Sequence, residues 1–92
     1  MEEFKLDKYI YTVGVKIEDD FIGYVENKVG IPIYVKEVSE AVMFETRNEA
    51  YEFEGIIKNN IGKQKNTKVQ TFQVLMNDSE TGSYHYTIIG EV

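Results

Sequence analysis

Residues 45–62 read ETRNEAYEFEGIIKNNIG, and this stretch predicts the one helix of the protein. Thr46 and Glu49 have the spacing of a capping box, in which each side chain accepts a hydrogen bond from the other residue's backbone N–H. Apolar residues then recur every three or four positions, which places them on one stripe of a helix. That stripe consists of Ala50, Phe53, Ile57 and Ile61, with Ile56 beside it. Gly62 follows, where a left-handed C-terminal cap is common.

Gly55 is the residue that fits this helix least, because glycine inside a helix costs about 1 kcal/mol relative to alanine. We expect it to mark a place where the helix packs closely against a sheet. The charges agree with the helix, since acids are concentrated near its start and lysines near and beyond its end. That order complements the helix dipole.

Alternating apolar and polar residues predict five strands around the helix. They cover residues 8–17, 21–26 and 31–36 before it, and residues 68–76 and 83–92 after it. Polar turns at residues 18–20, 27–30 and 77–82 separate them, so the first two and the last two strands are expected to form hairpins. Pro32 is tolerated because it opens its strand.

The element order β-β-β-α-β-β predicts an α+β fold, mainly an antiparallel sheet with the helix packed on one face. The other face is expected to be left partly to solvent. We expect a single domain over residues 1–92, with residues 1–7 frayed. The order of the strands within the sheet does not follow from the alternation.

Composition narrows the classes of protein that this chain can belong to. The absence of cysteine excludes disulfides, thiolate metal sites and cysteine nucleophiles. The first residues lack a basic segment followed by an apolar run, and no apolar run is long enough to cross a bilayer, so we expect a cytoplasmic protein without membrane contact. A net charge of −6 argues against direct nucleic-acid binding, which requires lysine and arginine.

Residues suited to catalysis are scarce, and we expect a protein that is not an enzyme and has no cofactor or metal. His85 is the only histidine and lies within an alternating strand. The acids at residues 18–20 lack the spacing of a calcium loop and are interpreted as a solvated turn. The chain has neither a G-x-S-x-G sequence nor a glycine-rich phosphate loop.

An acidic cluster surrounds the start of the helix. Residues 37–54 contain six acidic residues and one basic residue, Arg47. The acids are Glu37, Glu40, Glu45, Glu49, Glu52 and Glu54, and Tyr51 lies among them. Two interpretations stay open: a contact surface for a basic partner, or a solvated helix face that matches the dipole. The candidate partner-binding residues from this cluster are Glu45, Glu49, Tyr51, Glu52 and Glu54.

Tyrosines form a second candidate surface. If the sheet face opposite the helix is exposed, Tyr24, Tyr34, Tyr84 and Tyr86 would form an aromatic patch for a partner or for a second copy of the chain. The alternative interpretation is ordinary packing between aromatic residues on adjacent strands.

Residues 40–50 read EAVMFETRNEA and resemble an A-x-x-F-x-T-x-x-E-A segment found in small accessory proteins of Gram-positive bacteria and their phages. Ala41, Phe44, Thr46, Glu49 and Ala50 match that segment. The resemblance implies a short phage or mobile-element protein that binds and blocks a host or defence protein. No catalytic residue carries over from it.

The expected function is therefore that of a non-enzymatic protein-binding module that modulates a larger protein, such as a nucleic-acid enzyme, by placing its acids in a basic groove. A small homodimer built through sheet edges or the tyrosine face is the alternative. The third hypothesis is that the protein binds a small ligand or is an enzyme.

Overall fold

The computed structural model describes residues 7–26, 33–61, 66–78 and 83–92. Within them the chain forms one five-stranded antiparallel sheet and one α-helix, which confirms the predicted α+β fold and element order. The elements are β1 (Asp7–Ile17), β2 (Asp20–Val25), β3 (Tyr34–Val35), a 3-10 turn (Val38–Glu40), α1 (Arg47–Ile61), β4 (Thr67–Asp78) and β5 (Tyr84–Glu91). Residues 1–6, the turn at residues 27–30, Pro32, Gly62 and residues 79–82 lie outside the described residues.

The strands lie in the order β3-β2-β1-β4-β5, and both predicted hairpins are confirmed. All eleven residues of β1 pair with β4, from Asp7 opposite Asn77 to Ile17 opposite Thr67. β1 is therefore the central strand, with β2 and β4 on either side of it, and β3 and β5 are the edges among the described residues. Among the described residues 33–36 of the predicted third strand, Tyr34 and Val35 pair with β2.

Helix α1 begins with the predicted capping box. The backbone N–H of Glu49 donates to Thr46 Oγ1 at 3.2 Å, and that of Thr46 donates to Glu49 Oε1 at 3.2 Å. The helix packs on β1 and β4, and buries Ala50, Phe53 and Ile57. These three pack with the apolar residues on that face of the sheet, which are Val13, Val15, Val25 and Val69, and with Phe44.

Gly55 does not have the role that we expected. It is exposed, and a Cβ atom built on it would meet no heavy atom within 4 Å. Close packing against the sheet is therefore the wrong explanation for this glycine. The helix places position 55 on its solvent side, where alanine would fit.

The second face of the sheet is covered at its centre, and less of it is left to solvent than the single helix suggested. Ile10, Thr12 and Val74 are buried here, although they do not belong to the cluster under the helix. The Thr12 hydroxyl donates to the Val42 carbonyl at 2.7 Å, and the 3-10 turn contacts β5. These contacts place residues 38–41 over the second face, whereas the side chain of Val42 packs against the helix-side core.

The chain then enters the sheet between β1 and β2. The backbone N–H of Val42 donates to the carbonyl of Val25 at 3.0 Å, and Tyr11 and Phe44 exchange backbone hydrogen bonds of 2.9 and 2.8 Å. This short pairing fixes Phe44 immediately before the helix cap. The side chain of Phe44 packs in the helix-side core.

Candidate functional site

A groove lies along one flank of α1, and we call it the acidic groove. It has a volume of about 260 Å³ and is lined by Phe44, Glu49, Glu52, Phe53 and Ile56. The rings of Phe44 and Phe53 are 5.1 Å apart and almost fully buried, so they form an apolar floor. Glu49 and Glu52 are exposed beside them, and Ile56 is 47% exposed.

Helix geometry explains why these side chains lie together. Successive residues lie about 100° apart around a helix axis, so positions 49, 52 and 56 share one flank. Phe44 reaches the same flank because its backbone is paired with Tyr11. The groove therefore combines two carboxylates with exposed apolar surface.

Tyr51 does not lie in the acidic groove. It is about 160° around the axis from Glu49, on the flank that carries Arg47 and Lys58, and it is 42% exposed. The guanidinium carbon of Arg47 lies 5.9 Å from the centre of the Tyr11 ring. The two cationic side chains of the helix are thus on the opposite side from Glu49 and Glu52, which leaves the charge of the groove negative.

The other acids of the cluster are separated from the groove. Glu54 is an anchor for the helix: its Oε1 accepts from the Thr71 hydroxyl of β4 at 2.7 Å, and its Oε2 lies 3.0 Å from Lys58 Nζ. Glu45 forms an exposed ion pair with Lys8 at 3.6 Å. Glu37 precedes the 3-10 turn and Glu40 is its last residue, and the contacts of this turn with β5 place it on the opposite face of the sheet. Of the acids that the sequence groups together, only Glu49 and Glu52 line the groove.

The four tyrosines of the expected aromatic patch do not form one surface. Tyr34 packs against the helix-side core. Tyr24 lies on the second face, where its ring is 4.8 Å from that of Phe21 and 5.9 Å from that of Phe72. Tyr86 is opposite Met76, six residues along the sheet from the row of Tyr24, which is about 20 Å. Tyr84 is on the same face as Tyr86, two residues farther from the row of Tyr24, and is 53% exposed.

The raised pKa values of Tyr24 and Tyr34 lead us to expect a loss of stability at alkaline pH. Burial raises the pKa of both phenols above 10.0, so the unfolded chain ionises first. Their contribution is therefore fully present below about pH 10 and is lost as the pH rises through the folded-state values. The Tyr24→Phe, Tyr34→Phe double variant should lose less stability than the wild type between about pH 9 and about pH 11 in urea titrations.

The control is the same comparison between about pH 7 and about pH 9, where both phenols are neutral in the folded and the unfolded chain. There the double variant should follow the wild type. Equal alkaline losses in the double variant and the wild type would show that these two phenols do not carry the effect.

The acids of the β1–β2 turn lie beside a lysine. Glu18 and Asp19 line a second depression of about 350 Å³ with Asn66 and Lys68. Glu18 has a φ of 57° and Asn66 a φ of 64°, and the N–H of Glu18 donates to the carbonyl of Asn66 at 2.7 Å. The depression thus joins two turns and mixes both signs of charge. The described residues contain no group of three or more metal-ligating side chains.

His85, which the sequence indicates to be an ordinary strand residue, is exposed on β5. The groove residues that sequence reasoning missed are Phe44, Phe53 and Ile56. Ile56 carried a readable signal, since it lies off the buried stripe and follows Glu49 and Glu52 by seven and four positions. The sequence indicates Phe44 as a core residue of the connection to the helix, but its place in the groove depends on pairing with a distant strand.

Comparisons with protein-family models, with curated proteins and with solved structures found no match to this chain. The resemblance of residues 40–50 to phage accessory proteins stays a prediction. The structure gives each matching residue a local role: Ala41 and Ala50 are buried, Phe44 pairs with β1, and Thr46 and Glu49 cap the helix. Among the described residues, the structure has no helix with the length and apolarity needed to span a membrane.

Proposed function

We propose that this protein is a non-enzymatic binding module whose acidic groove holds a basic side chain of a partner protein. The observation that carries the proposal is the pairing of Glu49 and Glu52 with the apolar surface of Phe44, Phe53 and Ile56 in one groove. Isolated surface acids need no partner to explain them. Acids beside an apolar floor offer both kinds of contact that an arginine or lysine side chain can make.

The chemistry of the groove selects this occupant. Arginine and lysine have apolar stems that pack on hydrophobic surface while their charged ends stay polar. The stem would lie on the phenylalanine floor and Ile56, and the charged end would pair with Glu49 and Glu52. Arginine fits better than lysine, because its planar guanidinium can bond carboxylates through two parallel hydrogen bonds.

The proposal extends to the class of partner. A negative surface attracts proteins with basic grooves and speeds their encounter. We propose that the partner is such a protein, for instance a host or defence enzyme that acts on nucleic acid, and that Glu49 and Glu52 occupy part of the site that binds phosphates. A cytoplasmic location and a phage or mobile-element origin belong to the same proposal.

Glu49→Gln, Glu52→Gln should weaken binding of a fluorescein-labelled oligo-arginine peptide, measured by anisotropy at low salt. We expect a loss of about fivefold to tenfold, because exposed ion pairs each contribute at most about 1 kcal/mol. Glutamine at position 49 keeps the capping box, so the helix should stay intact. Ile56→Gln should weaken binding without changing the net charge.

The matched control is Glu26→Gln, Glu37→Gln, which removes the same charge from exposed acids outside the groove. It should bind the peptide nearly as the wild type does. Oligo-citrulline of the same length should bind none of the proteins. If both double variants weakened peptide binding equally, the loss would follow from net charge alone, and the groove would be refuted as the binding site.

A further inference from the structure

Strand β5 is an edge that lacks the usual protection against pairing. Among the described residues it is the last strand of the sheet. Helix α1 packs on β1 and β4, and the 3-10 turn contacts β5 from the second face and adds no strand to it. Edge strands usually carry lysine, proline or a short length that prevents another strand from adding to them. Residues 84–91, YHYTIIGE, contain neither lysine nor proline, and their only formal charge is Glu91. The Glu91 carboxylate accepts from Gln70 Nε2 at 2.7 Å.

The opposite edge of the sheet is shorter in the described residues and has charged residues beside it. In the described part of this edge, β3 has two paired residues, and Lys36 and Glu37 follow it directly in the sequence. β5 is eight residues long. The contrast leaves one edge open to strand addition within the described part of the chain.

The regularly paired part of β5 has an odd number of residues, so one residue lies at its centre. A register shift between Gln73 and Val74 of β4 interrupts the pairing, so the unbroken segment runs from Tyr84 to Ile88. Tyr86 is its central residue. Tyr84, Tyr86 and Ile88 lie on the second face of the sheet, and His85 and Thr87 lie on the helix face, as their partners in β4 and β1 show.

We propose that two copies of this chain pair through β5, antiparallel and centred on Tyr86, to form a sheet of ten strands. In this register Tyr86 lies opposite Tyr86 of the other copy, Tyr84 lies opposite Ile88, and His85 lies opposite Thr87. Aromatic pairs and aromatic–β-branched pairs are among the favourable cross-strand neighbours. No described strand pairs with the outer side of β5, so the backbone N–H and C=O groups on that side suit a strand as the occupant.

Charge explains how an acidic protein can pair with itself here. Each copy has a net charge of −6, but the segment from Tyr84 to Ile88 contains no acid, lysine or arginine. Like charges are therefore not brought opposite each other, and the remaining repulsion acts over a distance that salt screens. The dimer should tighten as salt rises, whereas peptide binding in the acidic groove should weaken.

The interface would be small. Five paired residues on each copy bury less than the roughly 1,200 Å² that separates weak from stable complexes. The dimer should therefore form and dissociate with concentration in the micromolar range or above. Two-fold symmetry closes the assembly at two copies, because each copy uses its long edge once.

Sedimentation velocity at several protein and salt concentrations tests the dimer. The wild type should shift from monomer to dimer with concentration, and more readily at higher salt. Tyr86→Lys and Tyr86→Glu should each be monomeric, because the register sets like charges directly opposite, and an equimolar mixture of the two should dimerise again. Tyr51→Lys, on the helix, should behave like the wild type.

Cysteine crosslinking gives a readout that does not depend on affinity. The chain has no cysteine, so Tyr86→Cys should form a disulfide-linked dimer under mild oxidation, and Tyr51→Cys should do so far more slowly. A wild type that stays monomeric at every concentration, with no faster crosslinking at position 86, overturns the proposal. Dimerisation of Tyr86→Lys equal to that of the wild type does so as well, and neither result bears on the acidic groove.

Discussion

Phe53→Ala is expected to lower the free energy of unfolding by about 3–5 kcal/mol, the range for removing a buried phenylalanine. Phe53 is 4% exposed and packs between the sheet and Phe44, whose ring centre is 5.1 Å away. Small domains have a total free energy of unfolding of about 5–15 kcal/mol, so this variant should be only marginally stable. Urea denaturation followed by circular dichroism measures the loss.

Ile56→Ala is the matched control on the same helix. Ile56 is 47% exposed, so its truncation should cost less than about 1 kcal/mol. Because Phe53 also forms the floor of the acidic groove, its replacement should abolish peptide binding, whereas Ile56→Ala should only weaken it. Equal losses of stability in the two variants would contradict the packing of α1 described above.

Gly23→Ala is expected to cost about 2 kcal/mol, since a strained backbone position costs about 1–3 kcal/mol. Gly23 has a φ of +156°, which L-residues rarely adopt, and an added Cβ would lie 2.9 Å from the backbone oxygen of Val35. That oxygen belongs to the strand next to β2, so relief of the clash would disturb the β2–β3 pairing. Thermal unfolding of the variant measures the effect.

Gly55→Ala is expected to raise the stability of the same chain. Position 55 is helical and exposed, and a Cβ atom there meets nothing within 4 Å. Alanine is favoured over glycine in a helix by about 1 kcal/mol, so this variant should be more stable than the wild type. A neutral Gly23→Ala or a destabilising Gly55→Ala would contradict the backbone description.

Local patterns were enough to predict most of the fold. The capping box at Thr46 and Glu49 and the apolar stripe through Ala50, Phe53 and Ile57 are properties of one segment, and both are confirmed. The alternation in β1 and β4 was equally readable, because side chains in a strand point alternately to the two faces. In each case the signal and the structure involve the same few neighbouring residues.

Features that depend on distant parts of the chain were not predictable in the same way. The strand order requires β1 to lie between β2 and β4, and alternation contains no information about neighbours. The burial of Ile10, Thr12 and Val74 depends on residues 38–41 crossing the second face. No local pattern in either segment indicates that crossing.

The candidate site shows the same division. Sequence proximity grouped Glu37, Glu40 and Tyr51 with Glu49 and Glu52, but the fold places the first two on the opposite face and Tyr51 on the other flank of the helix. It also placed Phe44 beside Phe53, which supplies the apolar floor. The acidic groove is therefore a product of the tertiary structure, and only its two acids could be proposed from the sequence.

The most direct test of the acidic groove is an NMR titration of the ¹⁵N-labelled protein with the oligo-arginine peptide. The proposal predicts saturable shifts concentrated at Phe44, Glu49, Glu52, Phe53 and Ile56, which disappear in the Glu49→Gln, Glu52→Gln variant. Non-saturating shifts spread over all exposed acids, including Glu26 and Glu37, would contradict it. They would show that the surface attracts cations through net charge alone.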